Sequence, residues 1–336
     1  MAGGAPRSLT HGASIEWTPT QTGDGGALVC LGSGATTPAM VYRLSEGKRI
    51  LLTGAQMPKD FPEKQLVVPR QVIFKSDDGL TIHGQLFAPS NQAKASPALI
   101  YVHGGPSRQM LLGFHYMDYY HYAYAMNEYL ASLGYTVLSV NYRLGVMYGH
   151  DFRDAKNAGW RGSSEYRDVL AGAQYLRGLP TVDAKRIGIW GGSYGGLLTA
   201  LALARNSDSF AAGVDFHGVH DWSALLRQGT WGGDANAPDY QEALKLAWES
   251  SPDASIDHWK SPVLLIQGDD DRNVPFNQMT DLVQRLRGHD VAFEQVVWPD
   301  EIHVFLLYRH FIEGYKATAA FFQEHLGPAG TAGVSR

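Results

Sequence analysis

The chain has 336 residues, 44% of them hydrophobic and 18% charged, with a formal net charge of −5. That balance supports a large buried core and excludes a disordered chain. No Lys/Arg cluster runs beyond a few residues, which argues against nucleic acid or an anionic membrane as a partner, and Cys30 stands alone, so no intrachain disulfide can form.

Residues 1–14 open with a small, polar stretch, MAGGAPRSLTHG, and are expected to be a disordered N-terminus. They lack the charged-then-apolar order of a signal peptide, and no apolar run in the chain reaches the length of a membrane span. The expectation is a soluble, unexported, cytoplasmic chain. Residues 15–65 change character. Short alternating runs at Ala27–Leu31, Met40–Leu44 and Arg49–Leu52 are separated by Gly/Asp/Ser turns, and a Pro- and charge-rich linker, AQMPKDFPEKQL, follows at 55–66. Three or four short antiparallel strands of this kind form one meander, which cannot bury its face alone. It reads as one unit of a repeat, with no second copy in these residues.

Residues 66–327 then alternate strands with helices. A hairpin turns around Asp77-Asp78-Gly79, and the unbroken apolar run Ala98–Val102 leads into His103-Gly104-Gly105-Pro106. A helix is predicted from about 116 to 133, a strand over 136–140 and a helix over 163–177. Strands at 186–190, 212–216, 263–266 and 293–297 follow, with helices to 204 and at 276–287 and 304–325. Continuous apolar strands separated by helices imply a mostly parallel sheet covered on both faces. Residues 328–336 are expected to be a flexible tail.

The chemistry centres on Gly191-Gly192-Ser193-Tyr194-Gly195-Gly196, which lies between the strand at 186–190 and the helix-forming run Leu197–Ala204. With 38 Gly in the chain, a G-x-S-x-G match alone is weak. A strand–G-x-S-x-G–helix arrangement is the nucleophile elbow of an α/β-hydrolase. A turn this sharp strains the serine backbone and needs glycine on either side, where neighbouring backbones close in. A serine hydroxyl needs a histidine to accept its proton, and in this fold the order is nucleophile, acid, base, on loops after late strands. The run Asp269-Asp270-Asp271 follows one such strand and His303 another. His303 is the candidate base and one of the three aspartates its orienter. A calcium loop at the aspartates fails, because Val274 stands where glycine is needed. An oxyanion hole needs two N–H donors; Tyr194 supplies one, and Gly105 or Gly104 the other, since Pro106 has no N–H. His217-Gly218-Val219-His220 lacks strong zinc-ligand spacing, so neither a metal nor a cofactor is expected. Arg143 either holds a substrate carboxylate or anchors a loop. The tyrosines between 116 and 124 are expected to pack a helix against its neighbour.

Taken together, His103-Gly104-Gly105-Pro106, Asn141-Tyr142-Arg143, Tyr148-Gly149 with Phe152, the elbow, Gly268-x-x-Asp271-x-x-Val274-Pro275 and His303 resemble the prolyl oligopeptidase family, over roughly residues 66–326. Within that family the acylaminoacyl-peptidase and dipeptidyl-peptidase branches are most similar. The resemblance implies an α/β-hydrolase fold, preceded by a small antiparallel sheet like the last blade of a propeller. It selects Asp271 as the catalytic aspartate. It also implies an apolar substrate pocket lined by Tyr194, Val219, Trp222, Leu225 and Val274, with His103 beside it. Some family members carry an oxyanion-hole tyrosine where this chain has His103. Leu225 stands where proline-specific members have a pocket tyrosine, so strict proline preference is not expected. The implied activity is a serine peptidase acting on short peptides through an acyl-enzyme. A carboxylesterase for short-chain or aryl esters is the alternative. A propeller would cover the mouth of the site, so the surface it leaves is expected to drive homo-oligomerisation.

Overall fold

The computed structural model describes residues 5, 8–23, 25–89, 95–229 and 234–327. The expected tail at 328–336 and residues 1–4 and 6–7 of the expected N-terminal segment lie outside the described residues. The meander is β1 (Ile15–Gln21), β2 (Leu28–Ser33), β3 (Met40–Ser45) and β4 (Lys48–Leu51), antiparallel and in chain order. Its own apolar centre is small, comprising buried Cys30, Met40 and Tyr42.

The second sheet begins with a hairpin of β5 (Arg70–Lys75) and β6 (Thr81–Phe87) around the predicted turn. There follow β7 (Ser96–Val102), α1 (Asp118–Ser132), β8 (Thr136–Asn141), α2 (His150–Arg153), α3 (Tyr166–Arg177) and β9 (Val182–Gly192). The chain continues with α4 (Tyr194–Asn206), β10 (Ala212–Phe216), α5 (Trp222–Arg227) and α6 (Tyr240–Glu249), and ends with β11 (Val263–Gly268), α7 (Asn277–Gly288), β12 (Phe293–Trp298) and α8 (Tyr308–Leu326). The eight strands lie in the order β12-β11-β10-β9-β7-β8-β6-β5. From β12 to β8 every neighbour is parallel; β6 joins β8 and β5 antiparallel. This is the α/β-hydrolase arrangement, with β9 near the middle of the sheet.

Burial explains why the inner strands read as unbroken apolar runs. Every residue of β7, β8, β10 and β11 is buried, as expected when helices cover both faces. Side chains alternate between faces, so Ile100 and Val102 join the core under α3 and α4, whereas Leu99 and Tyr101 join the core under α1 and α8. Helix α4 is buried on all sides from Leu197 to Ala204, which accounts for its apolar circumference. The meander docks on Phe114, in the segment leading into α1, and on Tyr124 within α1. Ser33 Oγ donates to the Phe114 carbonyl at 2.6 Å, Phe114 N–H to the Gly34 carbonyl at 3.1 Å and Tyr124 OH to the Ala35 carbonyl at 2.9 Å.

One predicted helix starts late, and three helices lie outside the predicted set. The helix expected from 304 starts at Tyr308, because the buried Glu301 carboxylate captures Leu306 N–H and Leu307 N–H at 2.6 and 3.1 Å and holds residues 304–307 as a loop. Helices α2, α5 and α6 have no counterpart among the predicted elements. Among the described residues no helix is long and apolar enough to cross a membrane.

Candidate active site

Ser193 sits between the end of β9 and the start of α4 with φ 59° and ψ −119°, a left-handed conformation that strains any residue with a Cβ. The flanking glycines are required by close approach. A Cβ at Gly191 would collide with the Val102 carbonyl and lie 2.8 Å from the Gly195 carbonyl; one at Gly195 would strike the same Val102 carbonyl. The elbow thus folds tightly over the end of β7.

The loops after β11 and β12 rest on one another. Asp270 N–H donates to the Glu301 carbonyl at 3.1 Å, and Asp300 N–H to Asp269 Oδ1 at 2.7 Å. Gly268 leaves room for this contact, since a Cβ there would collide with the Glu301 backbone. The pairing brings His303 to Asp271, with Nδ1–H donating to Oδ2 at 2.7 Å. Asp271 is aimed by three further donors: Asn273 N–H at 2.9 Å and Val274 N–H at 3.0 Å to Oδ1, and Gln267 Nε2 at 3.2 Å to Oδ2. Its side chain is fully enclosed, and His303 retains 13% exposure. With Nδ1 carrying the proton, His303 Nε2 is left as the acceptor. Gln267 and Glu301 had no sequence signal of their own; both act through contacts between loops.

His217 is a further neighbour that sequence reasoning set aside. Ser193 N–H donates to its Nδ1 at 3.1 Å, and its ring centroid lies 4.2 Å from that of His303. It follows β10 directly, so the rule that located His303, the carboxyl end of a parallel strand, applies to it as well. Burial, and then the charge of His303, push its pKa well below the ordinary histidine value.

Tyr194 is the first residue of α4, so its N–H has no intrahelical acceptor. Its hydroxyl donates to buried Glu165 at 2.7 Å, which fixes the side chain. Gly104 lies beside the nucleophile; a Cβ on it would sit 3.2 Å from Ser193 Cβ. His103 Nδ1 donates to the Gly104 carbonyl at 2.9 Å, which turns the following Gly105 N–H away from His103. Gly105 itself is exposed, with φ 119°.

The expected pocket residues come together in the structure. Tyr194, Val219, Trp222, Leu225 and Val274 share one apolar cluster, each 5% exposed or less. His103 is fully enclosed and stacked on Tyr142 with ring centroids 4.3 Å apart, and burial lowers its pKa to about 4. Arg143 is a loop anchor. It is buried and binds Asp168 and Asp78 through its guanidinium at 2.7 Å each, so it is already fully engaged. The expected tyrosine packing is found for four of the five: Tyr120 and Tyr124 are buried in the core under α1 and Tyr119 and Tyr122 pack against it, whereas Tyr116 precedes α1 and is exposed.

His217, Asp271 and His303 each offer a ligand-type atom within 4.8 Å of the others. As arranged, Nδ1 of His217 accepts from Ser193 and Nδ1 of His303 donates to Asp271, so hydrogen bonds already use this cluster.

A strained serine at a strand–helix elbow, sharing its neighbour His217 with a histidine that a buried carboxylate orients, is the pattern of the α/β-hydrolase class. The model of the prolyl oligopeptidase family matches residues 120–329, and the chain belongs to that family. Dipeptidyl aminopeptidase BIII of Pseudoxanthomonas mexicana is 30% identical over 308 residues, 85% of this chain and 42% of that protein. The acylaminoacyl peptidase of Pyrococcus horikoshii superposes with a TM-score of 0.78 at 26% identity, over 98% of this chain and 52% of that one. A puromycin-hydrolyzing peptidase of Mycobacterium tuberculosis gives 0.77 at 26% identity, over 93% and 48%. The chain spans about half the length of these relatives or less.

Proposed function

We propose that this chain is a serine peptidase that cleaves short peptides through an acyl-enzyme. Ser193 is the nucleophile, His303 the base and then the acid, and Asp271 the orienter. Backbone N–H groups of Tyr194 and of Gly105 or Gly104 receive the oxyanion. In acylation Ser193 Oγ bonds to the scissile carbonyl carbon and its proton passes to His303 Nε2. The imidazolium then gives that proton to the leaving amine as the C–N bond breaks. Water repeats the sequence to release the acid. Asp271 stays ionised and stabilises the imidazolium.

The observation that carries this reading is the 2.7 Å bond from His303 Nδ1 to an enclosed Asp271, in the same site as the strained Ser193 elbow. The named relatives are peptidases, which supports peptides ahead of esters as substrates. A fluorophosphonate probe with peptide mapping tests the assignment: the label is expected on Ser193 alone, and Ser193→Ala should lose labelling and about four to six orders of magnitude in turnover. A label on another serine would overturn it.

A further inference from the structure

We propose that His217 is a positioning residue for the reacting pair, holding the Ser193 backbone through Nδ1 and packing its ring, tilted by 52°, against that of His303. This rests on the assignment of Ser193 and His303 as nucleophile and base. His217 touches no substrate, being 2% exposed.

The register explains how it reaches both partners. Phe216 pairs with Gly192 across the β9–β10 ladder, so the next residue on each strand, His217 and Ser193, leave the sheet side by side. Both then adopt positive φ, 43° and 59°, and are joined by the 3.1 Å bond from Ser193 N–H to His217 Nδ1. The same N–H also lies 2.9 Å from the Phe216 carbonyl, so Ser193 is held by a three-centre bond. A strained backbone persists only where its surroundings over-determine it, and the imidazole supplies one of those constraints. With Nδ1 accepting, Nε2 carries the proton and faces the Tyr119 hydroxyl at 3.4 Å. Tyr119 in turn closes the space over Gly192, where a Cβ would strike its hydroxyl.

The choice of an imidazole here follows from the catalytic cycle. His303 gains a proton during each half-reaction, with the His217 ring centroid 4.2 Å away. A second cation at that distance would oppose the transfer, and burial keeps His217 neutral. A neutral ring can keep accepting from Ser193 while His303 changes charge.

The experiment uses the full chain and reads the second-order rate of fluorophosphonate labelling, together with kcat and KM on an activated aryl ester. His217→Leu keeps volume without an acceptor; His217→Asn places Oδ1 close to where Nδ1 lies. His217→Leu is expected to lower labelling rate and kcat about 10- to 100-fold with KM within about threefold, as small misplacements of reacting groups do. His217→Asn is expected to recover at least about fivefold of that loss, which a purely structural role would not produce. A His217→Leu labelling rate within about twofold of wild type, or His217→Asn no better than His217→Leu, would overturn the proposal. If His217→Leu lacks a cooperative thermal transition, His217→Gln, which moves the acceptor away, takes its place with the same two outcomes. Wild-type chain that does not label at Ser193 would overturn the assignment of the nucleophile instead; Ser193 labelling that is indifferent to residue 217 overturns only the role of His217.

Discussion

Asp269, Asp270 and Asp271 are neighbours in sequence and end in three different environments. Asp269 accepts from Asp300 N–H and ties two loops together. Asp270 points to solvent and pairs with exposed Arg272, the kind of surface bridge that contributes little. Asp271 alone meets His303, and three other donors fix its direction. Asp271→Asn is therefore expected to cost about two to four orders of magnitude in turnover, because an amide neither fixes the tautomer nor stabilises the imidazolium. Asp270→Asn should be silent, and Asp269→Asn should stay within about threefold, since its Oδ1 still accepts. Steady-state rates of the three variants on one substrate decide this, and a crippling Asp270→Asn would overturn the assignment. Ser193 and His303 were legible in the sequence, since a short motif and a position after a strand locate them. Which aspartate faces the base was legible only through the family resemblance, because the register between the loops after β11 and β12 depends on contacts from Asp269 and Glu301 that no local pattern encodes.

Among the elements, the inner strands were legible because burial on both faces leaves one unambiguous pattern. The segment between β10 and β11 was harder. Helix α5 is only six residues long, although Asp221 caps it by accepting Ala224 N–H at 3.0 Å, a signal that D-W-S-A carries. The same segment holds Asp253, at the start of the 3-10 turn Pro252–His258, buried to 2% exposure and 3.0 Å from Arg285 Nε. Burial raises its pKa to about 7, against the opposing pull of His220 and Arg285. An unfolded aspartate titrates near about 4. Between those values the folded chain binds more protons than the unfolded one, so this residue makes stability fall as pH rises through the window and stay lower above it. Asp253→Asn removes the charge at every pH. Its melting temperature should exceed that of wild type at about pH 8 and converge with it near about pH 4. A variant less stable at the higher pH would show that the Arg285 pair outweighs the cost of burial.

At the scale of the whole molecule, the base lies beside an apolar surface. Val304, Leu306, Leu307 and Tyr308 are 45% to 67% exposed, directly after His303, and Tyr122 reaches Tyr308 across the gap to α1 at 5.8 Å. Exposed apolar clusters of this kind favour association. Among the described residues the meander has only three buried apolar residues of its own; it is held to Phe114 through Ser33 and Gly34 and to α1 through Ala35, so it stands as a small appendage to the second sheet. We propose that the chain self-associates through the surface after His303, and that its site takes short peptides and activated esters with little discrimination by length. Ser193 is half-buried and the His303 ring partly exposed, which supports an accessible mouth. Ester cleavage needs no protonation of an amine leaving group, so it should tolerate disturbance of His303 better than amide cleavage does. A ladder of peptides of increasing length, run beside an aryl ester with light scattering on the same sample, tests both points. Leu306→Glu is expected to shift the scattering mass toward the monomer while the fluorophosphonate still labels Ser193. A monodisperse wild-type monomer with a sharp upper limit on peptide length would show that the mouth is already gated, and that the apolar residues after His303 serve that gate rather than contact between copies.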